Sequence, residues 1–465
     1  MIIRGPADVL AATGERLELH PALLVELADR RAAMLAALDE ADHPVYGINT
    51  GMGRLAGVRL TAGQQAEHQR NLLVGRAVGG PPWLSAELTR ALLLMRLRGF
   101  LDPATAVSPG LVKFLVDRLN DNFLPAVPRD GLGSAGEIIP LAHAFQTFLG
   151  LGFVLGGRPA AEALRERRAT PFVLGPKEGA SLIQGSPLAE AYAWLGSRRA
   201  RDLLDLQTQC AAIAVDALGA PHAVYRYGAS TRFRELIAGA EPREGVVQAP
   251  ISVRVGPRVL ELLARVIGEL TGELVAGWAE PADSPSFVDG EFVTTTGYHA
   301  AGLGLRMDAL KAVLVHVGEI AVQRLHRLLD PQFSGLPPQL AVDPGPQAGL
   351  TPLHKRAVGE LHALRRLAAP ATLGSLDTSA GQEDVQASAW AAGAELHTAL
   401  EHVTAITACE LVAGAQARHL RGTGAPALEP LYAWVAERVP PLETDRSLGP
   451  ELTALIQELV SAAPG

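Results

Sequence analysis

A mainly α protein, built on an elongated bundle of long helices with minor short β segments, is what this sequence predicts. Three observations carry that expectation. Apolar residues recur at three- and four-residue steps over long stretches, alanine is abundant while large aromatics are scarce, and β signals are few and short. Hydrophobic residues make up 48% of the 465 and charged residues 19%, so there is ample surface to bury and global disorder is excluded. Small side chains at such density let helices approach one another closely.

The elements follow in order. Short β segments are expected near 45–48 and 172–174. A helix is expected over 88–97, where arginines intersperse the apolar residues, and another over 111–119, after Pro109 and Gly110. Pro257 stands where a helix can begin, and the stretch RVLELLARVIGELTGELVAGW carries it for about six turns. Asp308 can cap a helix running through ALKAVLVHVGEIAVQRLHRLL. The longest candidate runs from Val385 to about Leu420, with a seam of Leu396, Leu400, Val403, Ile406 or Thr407, and Leu411. Pro/Gly-rich connections fall at 156–177 and 330–351. The chain divides into an N-terminal region, 1–195, and a long-helix region, 196–465, read as one integrated fold. Helices of this length usually pack against other long helices, often from other subunits, so an oligomer is expected.

Several function classes are excluded by composition. Net charge is −8 and no block of five Lys or Arg occurs, which speaks against a nucleic-acid partner. Cys210 and Cys409 fit neither a disulfide framework nor a metal site and read as buried thiols. No His/Cys/Asp spacing suggests a metal, and neither a dinucleotide glycine motif nor a Walker loop is present. The N-terminus lacks a signal-peptide apolar region. Residues 138–157 carry no formal charge, but Pro140, His143, Gln146, Thr147 and four glycines interrupt them, so a core helix is expected there and not a membrane span. The expected location is cytoplasmic.

The stretch RDGLGSAGEIIPLAHAF, 129–145, sets a small-residue loop ahead of an apolar helix whose first turn holds Pro140. A helix N-terminus of that kind offers free N–H donors and favours an anion or developing negative charge. It is equally the composition of a plain glycine-rich turn. The surrounding NDNFLPAVPRDGLGSAGEIIPLAH resembles the signature of the aromatic amino acid ammonia-lyases, the family of histidine, phenylalanine and tyrosine ammonia-lyases. Other blocks agree in order: YGINTGMG at 46–53 resembles the family's mobile tyrosine loop, QRNLL at 69–73 its next block, and GPKEGASLIQGS at 175–186 the block ending Asn-Gly-Thr. VQAPISVR at 247–254 resembles Gln-Asp-x-Tyr-Ser-x-Arg, and GQEDVQAS around Glu383 resembles the Gln-Glu-Asp block. The resemblance runs from about residue 4 to about residue 422. It implies a largely helical homotetramer with active sites shared between subunits. It also implies an electrophile, a methylidene-imidazolone (MIO), made by cyclising and dehydrating an Ala-Ser-Gly tripeptide.

Here the chain departs from the family. The aligned triad is Ser134, Ala135 and Gly136, and alanine at the middle position has no hydroxyl to lose. A slipped triad, Gly133-Ser134-Ala135, would restore the serine but puts alanine where glycine is wanted for close backbone approach. The expectation is that MIO is absent and that no other cofactor is used. Further substitutions fall in the same implied pocket. The family's Ser-His is Gly75-Arg76, its Asn is Gln184, its Asp and Tyr are Ala249 and Ile251, and the His after Gln-Glu-Asp is missing.

The retained groups suggest chemistry without that electrophile. Tyr46 can act as a general base or be an interfacial loop tyrosine. Tyr298 can supplement it as an acid or merely stack, and His299 is equally open. Glu383 is placed at the start of the long helix, where an acid serves either the dipole or catalysis. Arg254 can grip a carboxylate or make an ordinary salt bridge. Arg76 can bind a second acidic group or replace a lost structural charge. Gln248 and Gln184 can offer amides to a carboxylate or sit satisfied in the core. Asn71, in the QRNLL block, joins this substrate-binding set by resemblance. The expected function is a lyase-like enzyme acting on a small carboxylate-bearing, amino-acid-derived substrate by elimination, isomerisation or cyclisation, in specialised biosynthesis. A true ammonia-lyase with the slipped triad, and a non-catalytic scaffold, are the alternatives.

Overall fold

The structure is a computed structural model describing residues 1–11, 15–133 and 135–461. It is mainly helical: 61% helix and 5% strand. The four longest helices are Pro187–Leu218, Gly256–Gly277, Ala301–Leu329 and Ala389–Arg421. The chain forms two compact units. Unit 1 gathers 1–195 with 272–305 and 371–394, and unit 2 gathers 196–271, 306–370 and 395–465. The N-terminal region thus takes in two stretches that the sequence reading grouped with the C-terminal half.

In unit 1, three helices meet: Ala62–Val74, Ile138–Gln146 and Glu178–Ile183. The first opens on a capping box, in which Thr61 and Gln64 satisfy each other's backbone N–H groups. Leu72 and Leu73 of this helix and Leu141 and Phe145 of the Ile138–Gln146 helix are buried. Gly179 is required by this packing, because a Cβ there would fall 2.1 Å from the Gln69 carbonyl oxygen. The Gln69 side chain donates to the Gly47 carbonyl (3.0 Å) and accepts from the Ala180 N–H (3.0 Å). One buried amide therefore ties the tyrosine loop to the Glu178–Ile183 helix.

In unit 2 the core seam includes Leu263, Leu310, Leu314, Val403, Ile406 and Leu411, all buried. Inside it Arg324 donates from Nε and Nη2 to the two oxygens of Glu410 (2.6 and 2.9 Å) and from Nη2 to Gln207 (2.7 Å). Gln207 in turn donates to Thr407 (2.8 Å). Cys210 and Cys409 are buried, and burial pushes the Cys409 thiol up to about 12, so both are poor nucleophiles.

Four expectations need correction. Residues 45–48 form a turn, not a strand, because Gly47 has a φ of +68° and the Asn49 and Thr50 side chains take the N–H groups of Val45 and Gly47. Residues 172–174 find no strand partner; the Phe172 ring packs on Phe114 instead. The observed strands are Ile2–Ile3, parallel to Glu18–Leu19, and a hairpin of Ser286–Val288 with Glu291–Val293, turned through Asp289-Gly290. The helix assigned to an Asp308 cap begins earlier, at Ala301, since buried Leu303 extends its apolar seam; Asp308 lies inside and pairs with Lys311. The longest helix begins at Ala389 and not at Val385, because Ser388 has a φ of +47° and breaks the run.

Candidate active site

Tyr46 is held by the turn that Gly47 makes possible. Its phenol oxygen accepts the Gly53 N–H at 2.8 Å, which fixes the direction of the ring. Asn49 braces the same loop, accepting from the Val45 N–H (2.7 Å) and from Arg59 (3.3 Å). The loop is therefore tethered at several points.

Two adjoining cavities of unit 1 share Tyr46, Met52, Gly53, Ile138 and Glu383. The first, about 290 Å³, is also lined by Ala135, Gly136, Gln184 and Tyr298. The second, about 420 Å³, is lined by Arg54, Arg76, Gly133, Thr378 and Ser379. The sequence-predicted Tyr46, Arg76, Ala135, Gly136, Gln184, Tyr298 and Glu383 thus come together from six separate stretches of chain. Ser134 lies outside the described residues.

Glu383 is not on the long helix. It follows the short turn at Ser379–Gly381, and its carboxylate accepts three hydrogen bonds: from the Ala135 N–H (3.2 Å), the Thr378 hydroxyl (2.7 Å) and the Ser379 hydroxyl (3.0 Å). Its first contact is the backbone of the loop itself. Tyr298 lines the first cavity, where a Cβ added at Gly136 would come 3.8 Å from its ring, and the Tyr298 carbonyl accepts from Ser186. His299 stands beside Tyr298, with its Nε2 buried and unpartnered, and lines neither cavity. The Gln184 backbone carbonyl accepts from Arg96, and Gln184 lines the first cavity.

Arg76 is half-buried. Burial lowers its pKa, and attraction to Tyr46 and Glu383 opposes that shift. Glu137, just after the loop, turns its carboxylate away from the site. It accepts the N–H groups of Leu188 (2.6 Å) and Ala189 (2.7 Å) at the start of the Pro187–Leu218 helix. Burial pushes its carboxyl up to about 8 against the pull of those two donors. The Ile138–Gln146 helix consequently opens with no side-chain cap, and Ile138 and Ile139 sit at the cavity wall.

Three predicted site residues are elsewhere in the chain. Asn71 is exposed on the Ala62–Val74 helix and lines neither cavity. Gln248 and Arg254 belong to unit 2; Gln248 is exposed, and Arg254 donates from Nε to the Ala249 carbonyl (2.8 Å). Sequence reasoning missed Gln69, Arg54, Thr378 and Ser379. Nothing in the local sequence singles out the last two, which lie five and four residues ahead of Glu383. Among the described residues no group of His, Cys, Asp or Glu is arranged to hold a metal ion, and no helix is long and apolar enough to cross a membrane.

Known proteins share this arrangement's frame. The chain is 33% identical to histidine ammonia-lyase from Symbiobacterium thermophilum, with 97% of this chain and 95% of that protein covered. Among solved structures it superposes on histidine ammonia-lyase from Trypanosoma cruzi with a TM-score of 0.88 at 25% identity, covering 99% of this chain and 93% of that one. Tyrosine aminomutase from Streptomyces globisporus shares the fold, with a TM-score of 0.91 at 23% identity over 98% and 95% of the two chains. A family profile described as aromatic amino acid lyase matches residues 6–437, and the chain belongs to that family.

Proposed function

We propose that this protein is an ammonia-lyase-like enzyme that works without the methylidene-imidazolone. It would act on a small carboxylate-bearing, amino-acid-derived substrate by base-catalysed elimination, isomerisation or cyclisation. The observation that supports this most is the juxtaposition of Tyr46, Glu383 and Ala135 on one cavity. The residues at the aligned triad do not fit the family's electrophile. Ala135 carries a methyl group with no β-oxygen to expel, and its N–H is committed to the Glu383 carboxylate.

In this reading Tyr46 is the base, held in direction by the Gly53 N–H. Tyr298 stands across the cavity as the acid, and Gln184 offers an amide to the substrate. Glu383 positions the Ala135 backbone so that the methyl wall stays fixed. Gln248, Arg254 and Asn71 would reach the substrate across subunit interfaces of a homotetramer, the arrangement the resemblance implies. Such chemistry suits a biosynthetic role in which the substrate brings its own activated C–H bond or leaving group.

The histidine ammonia-lyase relatives at 31–33% identity favour a second reading, a true ammonia-lyase using Gly133-Ser134-Ala135. Intact mass separates the two. The proposal expects the unmodified mass and no urocanate or cinnamate from histidine or phenylalanine. A mass lower by two waters, with urocanate formed, supports the second reading. Tyr46→Phe is expected to abolish turnover; turnover unaffected by that change would remove Tyr46 from the role of base, and a wild type without turnover would leave only a scaffold role.

A further inference from the structure

The second cavity is lined by two arginines and a single carboxylate. The Arg76 guanidinium is half-buried, yet it makes no hydrogen bond or ion pair within the described residues of the chain. Arg54, on the same wall, makes none either. The one carboxylate lining this cavity, that of Glu383, already accepts three donors from Ala135, Thr378 and Ser379. A partly desolvated cation whose nearest acid is otherwise engaged is costly to maintain unless a ligand anion completes it.

Position gives that anion a role. Arg76 and Tyr46 line the same cavity and attract one another electrostatically. A base beside a guanidinium deprotonates a carbon whose developing charge the guanidinium can receive. With no electrophilic sink at Ala135, the electron pair of the broken C–H bond needs another place to go. A carboxylate on that same carbon provides one, as its enediolate, and a bidentate arginine stabilises the extra charge.

We propose that the substrate is a succinate-type dicarboxylate bearing an amine on the carbon next to the one deprotonated, and that Arg76 holds the carboxylate attached to the deprotonated carbon. The inference rests on the reading of Tyr46 as base. The step balances within the substrate. The Tyr46 phenolate takes the proton, the C–H electron pair becomes the second bond of C=C, and the C–N bond breaks with its pair on nitrogen. An ammonium leaves as neutral amine, the product is an unsaturated dicarboxylate, and Tyr46 returns its proton to water.

Calorimetry on the intact protein with succinate and its monoamide, succinamate, tests the idea. The two probes match in shape and differ by one negative charge. Succinate is expected to bind the wild type about tenfold or more tighter, the range a charge-assisted contact supplies. Arg76→Gln should bring that ratio close to one, and Arg76→Lys should retain part of it. Equal binding of the two probes by the wild type overturns the inference, as does a preference that survives Arg76→Gln; the first needs no variant to fold. Tyr46→Phe should keep the succinate preference while losing turnover of aspartate-type substrates, followed by ultraviolet absorbance of the unsaturated diacid. Turnover that persists in Tyr46→Phe sinks the base reading alone and leaves the Arg76 binding result standing.

Discussion

Arg324 in unit 2 and Arg76 in unit 1 put the same side chain to opposite uses. Arg324 is 1% exposed, and its Nε and Nη2 donors meet two oxygens of Glu410 and one of Gln207, so its buried charge has a built-in counter-ion. Arg76 is half-buried beside a cavity, and its guanidinium has no acceptor among the described residues. A satisfied buried charge serves the fold. An unsatisfied one at a cavity wall costs the fold something and is explained by what fills the cavity.

The largest expected effect tests the structural half of this contrast. Glu410→Ala leaves the Arg324 guanidinium buried and unpaired, and it should cost about 3–5 kcal/mol in denaturant unfolding. The paired change Arg324→Met with Glu410→Leu should recover most of that loss, because two apolar side chains of similar volume need no partner. If the single change proved neutral, the core of unit 2 would have to admit water, and the contrast with Arg76 would collapse.

Glu137 lies between these cases, buried like Arg324 but next to the site loop. Its carboxyl ionises near the model-peptide value of 4.5 when unfolded and at about 8 in the folded chain, raised by burial and by Glu190, and lowered by the Leu188 and Ala189 N–H groups and Arg96. Between those values the native state binds more protons than the unfolded state. Stability conferred by the neutral acid is therefore full at low pH and is lost as pH rises from 4.5 towards 8. Glu137→Gln should remove one proton's worth of that slope, read from unfolding midpoints across the same pH window. Glu190, also raised by burial, leaves a residual slope. An unchanged profile would mean that water reaches the Glu137 carboxylate.

Much of this was legible in the sequence for reasons that can be named. The long helices announce themselves because their buried seams repeat over many turns, as from Leu396 to Leu411. Their ends were less legible: a positive φ at Ser388 or a seam carried back to Leu303 is decided by tertiary packing and not by local composition. The members of the Tyr46 cavity could be nominated from ordered motif blocks, since each block keeps a chemically distinctive residue. What the sequence hid were the supporting contacts. Gln69 joins two segments through backbone groups, and Thr378 and Ser379 matter only because the chain folds them onto Glu383. Neither a side chain bonded to distant backbone atoms, as in Gln69, nor hydroxyls brought onto an acid by a local turn leave a residue pattern to read.

The smallest expected effect closes the comparison. A residue kept for a ligand is not kept for stability, so removing it should relieve the fold. Arg76→Gln replaces a half-buried cation, whose pKa is lowered by burial, with a neutral amide of similar reach. Without ligand, its unfolding free energy should equal or exceed the wild type by up to about 1 kcal/mol, opposite in sign to Glu410→Ala. Saturating succinate should then raise the melting temperature of the wild type and leave that of the variant nearly unmoved, because only the wild type gains binding energy in the native state. A clear destabilisation by Arg76→Gln in the absence of ligand would place Arg76 with Arg324, as a charge whose acceptor is built into the protein, and would return the cavity to the status of a packing defect.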